Sequence, residues 1–232
     1  MRDAPEADQA PPDEAALLRR GLPAPLRPDP SPERVMFVAC GALAPDLLAL
    51  KTANGWDHVD LDCLPAILHS APERIPEALR LRLRAARARG YGRVVAVFGD
   101  CGTGGRLDVV CAEEGVERLP GPDCQAVFAG RDAFAAAVAA EPDAFHLTDF
   151  LARHFDAIFW RGMGLDRHPE LREMLFGHFT VLVHLAQTDD AATDAAAREA
   201  ARKLGLRFSR RFTGRAALEA DLAGFVARPG AR

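Results

Sequence analysis

Two short apolar runs, each ending in Cys-Gly, constrain the fold of this chain more than any other feature. Val35-Met36-Phe37-Val38-Ala39 leads into Cys40-Gly41. Val94-Val95-Ala96-Val97-Phe98-Gly99-Asp100 leads into Cys101-Gly102-Thr103-Gly104-Gly105. Runs of apolar residues without polar alternation read as strands buried on both faces. Such strands belong to a parallel sheet covered by helices, and helical sequence follows each of these two. Turns after parallel strands gather at one edge of the sheet, where ligands bind. Each thiol is therefore expected at that edge.

The rest of the chain repeats the alternation. A helix is expected over about Leu43–Thr52, a strand at His58–Leu61, and a long helix from about Pro72 to Arg89. Ile75, Leu79, Leu83 and Ala86 give that helix one apolar stripe, and its arginines fall largely on a solvated face. After the third strand, Val94–Phe98, a helix runs to about Glu114, and Val116–Leu119 reads as a fourth strand. Ala157–Trp160 and Val181–Leu185 are further strand candidates. Asp194–Leu204 reads as helix, Leu206–Thr213 as a half-buried edge strand, and Ala216–Val226 as a last helix. The expected class is α/β: a mainly parallel sheet, helices on both faces, and a ligand site at the C-terminal edge of the strands. Residues 33–232 read as a single α/β metal-binding domain. Residues 1–32, rich in Pro and Ala, read as a disordered tail in which Leu17-Leu18 could form a short docking turn.

Composition narrows the function classes. The formal net charge is -4, which leaves no basic excess for nucleic acid. No apolar stretch is long enough to cross a bilayer, and no secretory leader is visible, so the expected location is the cytoplasm. Thiols stay reduced there, so the five cysteines read as ligands, nucleophiles or buried apolar residues. Cys111 reads as helix core, and Cys63 as a buried spacer.

Cys124, after the Pro120-Gly121-Pro122 turn, and His69, after the second strand, are expected at the same edge as Cys40 and Cys101. Three thiolates and an imidazole are a common tetrahedral zinc set, and an iron–sulfur cluster is the alternative. The bland reading makes Cys40 and Cys101 small residues chosen for tight strand–helix packing. Gly102, Gly104 and Gly105 invite a phosphate reading, but no Walker lysine follows them. They could also let backbone approach a metal or cofactor closely. Asp100 is a candidate catalytic base, although a helix cap is the favoured role. Neither G-x-S-x-G nor H-E-x-x-H occurs. His146, His154, His168, His178 and His184 have no ligand spacing and read as ordinary surface or core residues.

At these residues the chain resembles the DUF1638 domain family. The matching segments are Ala39-Cys40-Gly41, Leu64-Pro65 with Leu68-His69 and Pro72, Asp100 to Gly105, and Asp123-Cys124. Gly164 to Leu171 looks like a segment of one branch, and the resemblance covers about Val35 to Gln187. It implies that Cys40, His69, Cys101 and Cys124 are the positions that matter, and it gives Cys63 no counterpart. Asp100 and Gln125 depart from the apolar residues usual at those places, which makes the pocket more polar. Family members often stand beside corrinoid-dependent methyltransferase components. The resemblance thus implies a corrinoid protein or methyltransferase component as partner, with corrinoid reaching the chain through it. A methyltransferase-like enzyme and a non-enzymatic accessory handling a metal or corrinoid both fit.

Overall fold

The computed structural model of the chain describes residues 13–26 and 33–227. Strands β1 (Val35–Cys40), β2 (Val59–Leu64), β3 (Arg93–Val97) and β4 (Glu117–Arg118) form a parallel sheet in the order β2-β1-β3-β4. Strands β5 (Ala144–Thr148), β6 (Val181–Ala186) and β7 (Arg207–Phe212) form a second parallel sheet, β5-β6-β7. The α/β class and the parallel pairing are as expected, but the strands divide between two sheets. No periodicity within a strand encodes which sheet it joins.

Ten α-helices surround the strands among the described residues. They are α1 (Glu14–Arg19), α2 (Ala44–Ala53), α3 (Ile75–Ala88), α4 (Arg106–Glu114), α5 (Cys124–Ala129), α6 (Arg131–Ala140), α7 (Asp149–Arg153), α8 (Leu171–Phe176), α9 (Ala191–Leu204) and α10 (Ala216–Val226). Strand alternation explains the layers. Met36 and Val38 of β1 pack with Leu79 and Leu83 of α3 and Leu107 and Val110 of α4. Val35, Phe37 and Ala39 point the other way, into a core shared with Leu147, Leu182, Ala197 and Leu222 of the second half. Successive side chains of a strand face opposite sides, so β1 is buried twice over. Val183 and Leu185 of β6 enter a smaller cluster with Phe134 of α6. Among the described residues, no helix is long and apolar enough to cross a membrane.

Three expectations need correction. Ala157–Trp160 is not a strand but part of a π-helical turn, Asp156–Trp160, with Ile158 and Phe159 buried. A four-residue apolar run has no decisive period, so helix and strand cannot be told apart there. Ala144–Thr148 is a strand that the sequence reading did not contain, because His146 and Thr148 break its apolar run. The tail reading fails over 13–26. Asp13 caps α1 by accepting from Ala15 N at 3.0 Å, and Leu17 and Leu18 are buried, as the docking turn requires. Residues 1–12 and 27–32 lie outside the described residues.

Candidate metal centre

Close backbone approaches, made possible by glycine, set the geometry of the cysteine edge. Cys40 ends β1 opposite Leu64 of β2. A Cβ on Gly41 would lie 2.7 Å from the Leu17 carbonyl oxygen and 2.8 Å from that of Leu64. Only glycine lets β1 turn between α1 and the end of β2. Past Leu64 and Pro65, the 3-10 turn Ala66–Ser70 carries His69. Its ring meets Phe159 edge-on at 5.3 Å, and Ser70 Oγ donates to the Ile158 carbonyl at 2.8 Å. The π-helical turn therefore braces the histidine loop. Such turns recur at functional sites.

On the other side, a Cβ on Gly99 would lie 2.7 Å from the Asp123 nitrogen. Asp100 N donates to the Gly121 carbonyl at 2.9 Å, and Cys101 N to that of Pro122 at 2.7 Å. These bonds zip the Cys101 turn to the start of α5, where Asp123 caps the helix and Cys124 is its first residue. Cys101 itself has φ +50°, a left-handed conformation uncommon outside glycine.

Asp100 acts as a loop organiser. It accepts from Thr103 Oγ1 at 2.7 Å, Gly104 N at 3.0 Å and Gly105 N at 2.8 Å. Burial acts to raise its pKa, but these bonds and the charge of Arg118 outweigh it and hold the carboxyl below the usual range. This differs from the expected helix cap: α4 starts after Gly105 with no side-chain cap, and Asp100 braces the turn before it. The Gly104 and Gly105 amides point at Asp100, so those two are not free for a phosphate.

Cys40, His69 and Cys101 line one pocket of about 20 Å³, walled by Leu64, Pro65, Leu68, Ile75 and Phe98. That volume holds about one water-sized occupant. Burial pushes the Cys40 thiol up to about 11. Burial also raises Cys101, and the nearby Cys40, Asp123 and Asp100 raise it further. Cys124 is raised by burial, then by Cys101, Asp123 and Cys40. The three thiols thus lie within electrostatic reach of one another. Burial alone lowers the His69 pKa, keeping the imidazole neutral. A bound cation would reverse the thiol preference, because coordination favours thiolate.

Neutral imidazole and three clustered thiols suit a soft or borderline metal by donor chemistry. Their spacing is open: among the described residues, no group of three or more His, Cys, Asp or Glu side chains is set to hold a metal ion. Cys63 is fully buried and Cys111 is 5% exposed on α4, both packed in core.

A second polar centre lies at the C-terminal edge of the other sheet, and sequence reasoning passed over it. His184 of β6 is 0% exposed. Its Nε2 lies 2.9 Å from Asp149 Oδ1, and its Nδ1 2.9 Å from Asp194 Oδ1, the latter contact not aligned as a hydrogen bond. Asp149 also accepts from Gln187 N, Thr188 N and Thr188 Oγ1. The available signal was a histidine inside the apolar run Val181–Leu185, since a polar group buried on both sides needs partners.

Comparison with known proteins gives one finding. The family described as "Protein of unknown function (DUF1638)" matches residues 63–222. No curated protein and no solved structure matches the chain. The matched span holds six of the seven strands wholly or in part, together with His69, Cys101 and Cys124. The chain belongs to the DUF1638 family.

Proposed function

We propose that the edge formed by Cys40, His69, Cys101 and Cys124 is a soft-metal centre, zinc foremost, serving methyl transfer linked to a corrinoid partner. The observation that carries this reading is the convergence of Cys40, Cys101 and His69 on one pocket, with Cys124 in electrostatic reach. Cys40, Cys101 and Cys124 would supply thiolates, and His69 a neutral nitrogen. Zinc held by three of these donors would keep a fourth position for a substrate thiol and would favour its thiolate, the form of sulfur that accepts a methyl group. The apolar walls Leu64, Leu68 and Phe98 would exclude water from that sulfur. A pocket of about 20 Å³ has no room for a corrinoid, so the cofactor would stay on its partner. The resemblance to proteins standing beside corrinoid methyltransferase components supports the same partner.

Metal analysis of the purified full chain tests the centre. About one zinc per chain is expected, and Cys40→Ser, Cys101→Ser, Cys124→Ser and His69→Ala should each lower it. Full retention in all four variants would sink the ligand assignment. Iron and labile sulfide in place of zinc would replace it with a cluster. Metal-loaded protein that binds a corrinoid protein yet never methylates a thiol would be an accessory.

A further inference from the structure

We propose that residues 13–26 form a releasable latch holding the His69 loop against the cysteine pocket. The idea rests on the proposed function only in taking that pocket as the working site. α1 packs on the turn that carries His69 and on the turn Gly41–Leu43 that follows Cys40. The Leu17 carbonyl is one of the two that leave Gly41 no room for a Cβ. The segment then crosses the end of β2. Leu22 N donates to the Cys63 carbonyl at 3.0 Å, and Cys63 N to that of Leu22 at 2.6 Å, an antiparallel bridge one residue before Leu64 of the pocket wall. Gly21 has φ +75°, and a Cβ there would lie 1.8 Å from the Cys63 oxygen, so this crossing requires glycine.

Among the described residues, buried apolar side chains and a set of polar contacts fasten the segment. Leu17 and Leu18 are buried, Leu22 and Ala24 pack against the core, and Arg153 and His154 pair with Glu14 at 2.6 Å and 3.0 Å. Beyond the Leu22 bridge, the Arg89 guanidinium donates to the Pro25 carbonyl. α1 has six residues, far fewer than a helix needs to persist alone in water. Once these contacts break, the latch loses its own structure, which makes release all-or-none. A short element held only by side chains and one bridge opens without global unfolding. The Cys63 edge and the loop from Leu64 to Ser70 would then lose their outer support together.

Site-resolved thiol labelling tests this. The full chain is freed of metal by chelation and reacted with iodoacetamide, and each cysteine is read by mass spectrometry. Gly21→Val removes the crossing; Cys40 labelling should rise about tenfold while Cys111, on α4, keeps its rate. Leu22→Cys, oxidised onto Cys63, locks the crossing and should push Cys40 labelling below the wild-type rate. The two positions face each other across the bridge, within disulfide reach. Equal Cys40 rates in wild type, Gly21→Val and the locked variant overturn the latch. If Gly21→Val unfolds, Cys111 labelling rises too, and the locked variant alone decides: an unchanged Cys40 rate overturns the latch. Zinc content is measured on the same samples before chelation, so failure of the metal reading leaves the labelling result intact.

Discussion

Removing the carboxylate at position 149 should be among the most damaging single changes in the protein. Asp149 is 3% exposed and accepts four hydrogen bonds. The donors are His184 Nε2 at 2.9 Å, Gln187 N at 3.1 Å, Thr188 N at 3.0 Å and Thr188 Oγ1 at 2.6 Å. His184 and Gln187 are buried, so Asp149→Ala strands two donors away from water. Each stranded donor costs about 1–3 kcal/mol. The sum is about 2–6 kcal/mol. Total stability for such a domain is about 5–15 kcal/mol. With a urea slope of about 2–3 kcal/mol/M, the unfolding midpoint should fall by about 0.7–3 M. Asp149→Asn keeps one acceptor oxygen and should lose about half as much. Burial raises the Asp149 pKa, but the bonds from His184, Thr188 and Gln187 win and hold it below the ordinary value. Its stabilisation is therefore complete above pH about 4 and is lost as pH falls through the lower folded pKa. Asp149→Ala should show a flatter acid limb. A midpoint shift under roughly 0.3 M, with an unchanged acid limb, would refute the reasoning.

Two further outcomes follow from buried contacts elsewhere. Tyr91 is the chain's one tyrosine, and its hydroxyl donates to Asp60 at 2.8 Å, so ultraviolet titration reads it alone. Burial, the hydrogen bond and the Asp60 charge push it up to about 12, so little phenolate should form by pH about 11 while the fold persists. The associated stability is present below pH about 10 and is lost as pH rises toward about 12; a folded-state midpoint near 10 refutes the contact. Gly99→Ala drives a Cβ against the Asp123 backbone, should cost about 1–3 kcal/mol, and should raise iodoacetamide labelling of Cys101 and Cys124. Gly224→Ala, with open space in α10, is its control and should gain about 0.5–1 kcal/mol; similar behaviour of the two in urea melts would contradict the close approach.

The alternating run Leu206–Thr213 became edge strand β7, and runs apolar on both faces proved equally legible. Val35–Ala39 and Val94–Phe98 carry that pattern and became β1 and β3. The α3 stripe was equally plain, and Ile75, Leu79, Leu83 and Ala86 all enter the core. β5 escaped because His146 and Thr148 are buried through tertiary contacts that local sequence does not encode. The π-helical turn escaped because Ile158 and Phe159 are as apolar as any strand, and the phasing of the turn depends on Ser70 and Gly162 packing against it. At the cysteine edge, chain order placed the donors on successive turns. The near-contacts at Gly41 and Gly99 that fix how closely those turns approach depend on residues far along the chain. The pairing of His184 with Asp149 and Asp194 likewise spans separate elements, so no spacing rule points to it.

The division into two sheets bears on how the protein is made. Residues 35–118 supply every strand of the first sheet, and residues 144–212 every strand of the second. Chains leave the ribosome N-terminus first, at about 5–20 residues per second. All five cysteines and His69 therefore emerge before β5 begins at Ala144. Through that interval Phe37, Leu47 and Val127 have no Leu147, Leu182 or Leu222 to pack against. The nascent first half thus presents a sticky apolar face and reactive sulfur together, for as long as the second half takes to be synthesised. Early capture of the thiols, by a metal or by a chaperone, would protect the chain at its most vulnerable moment.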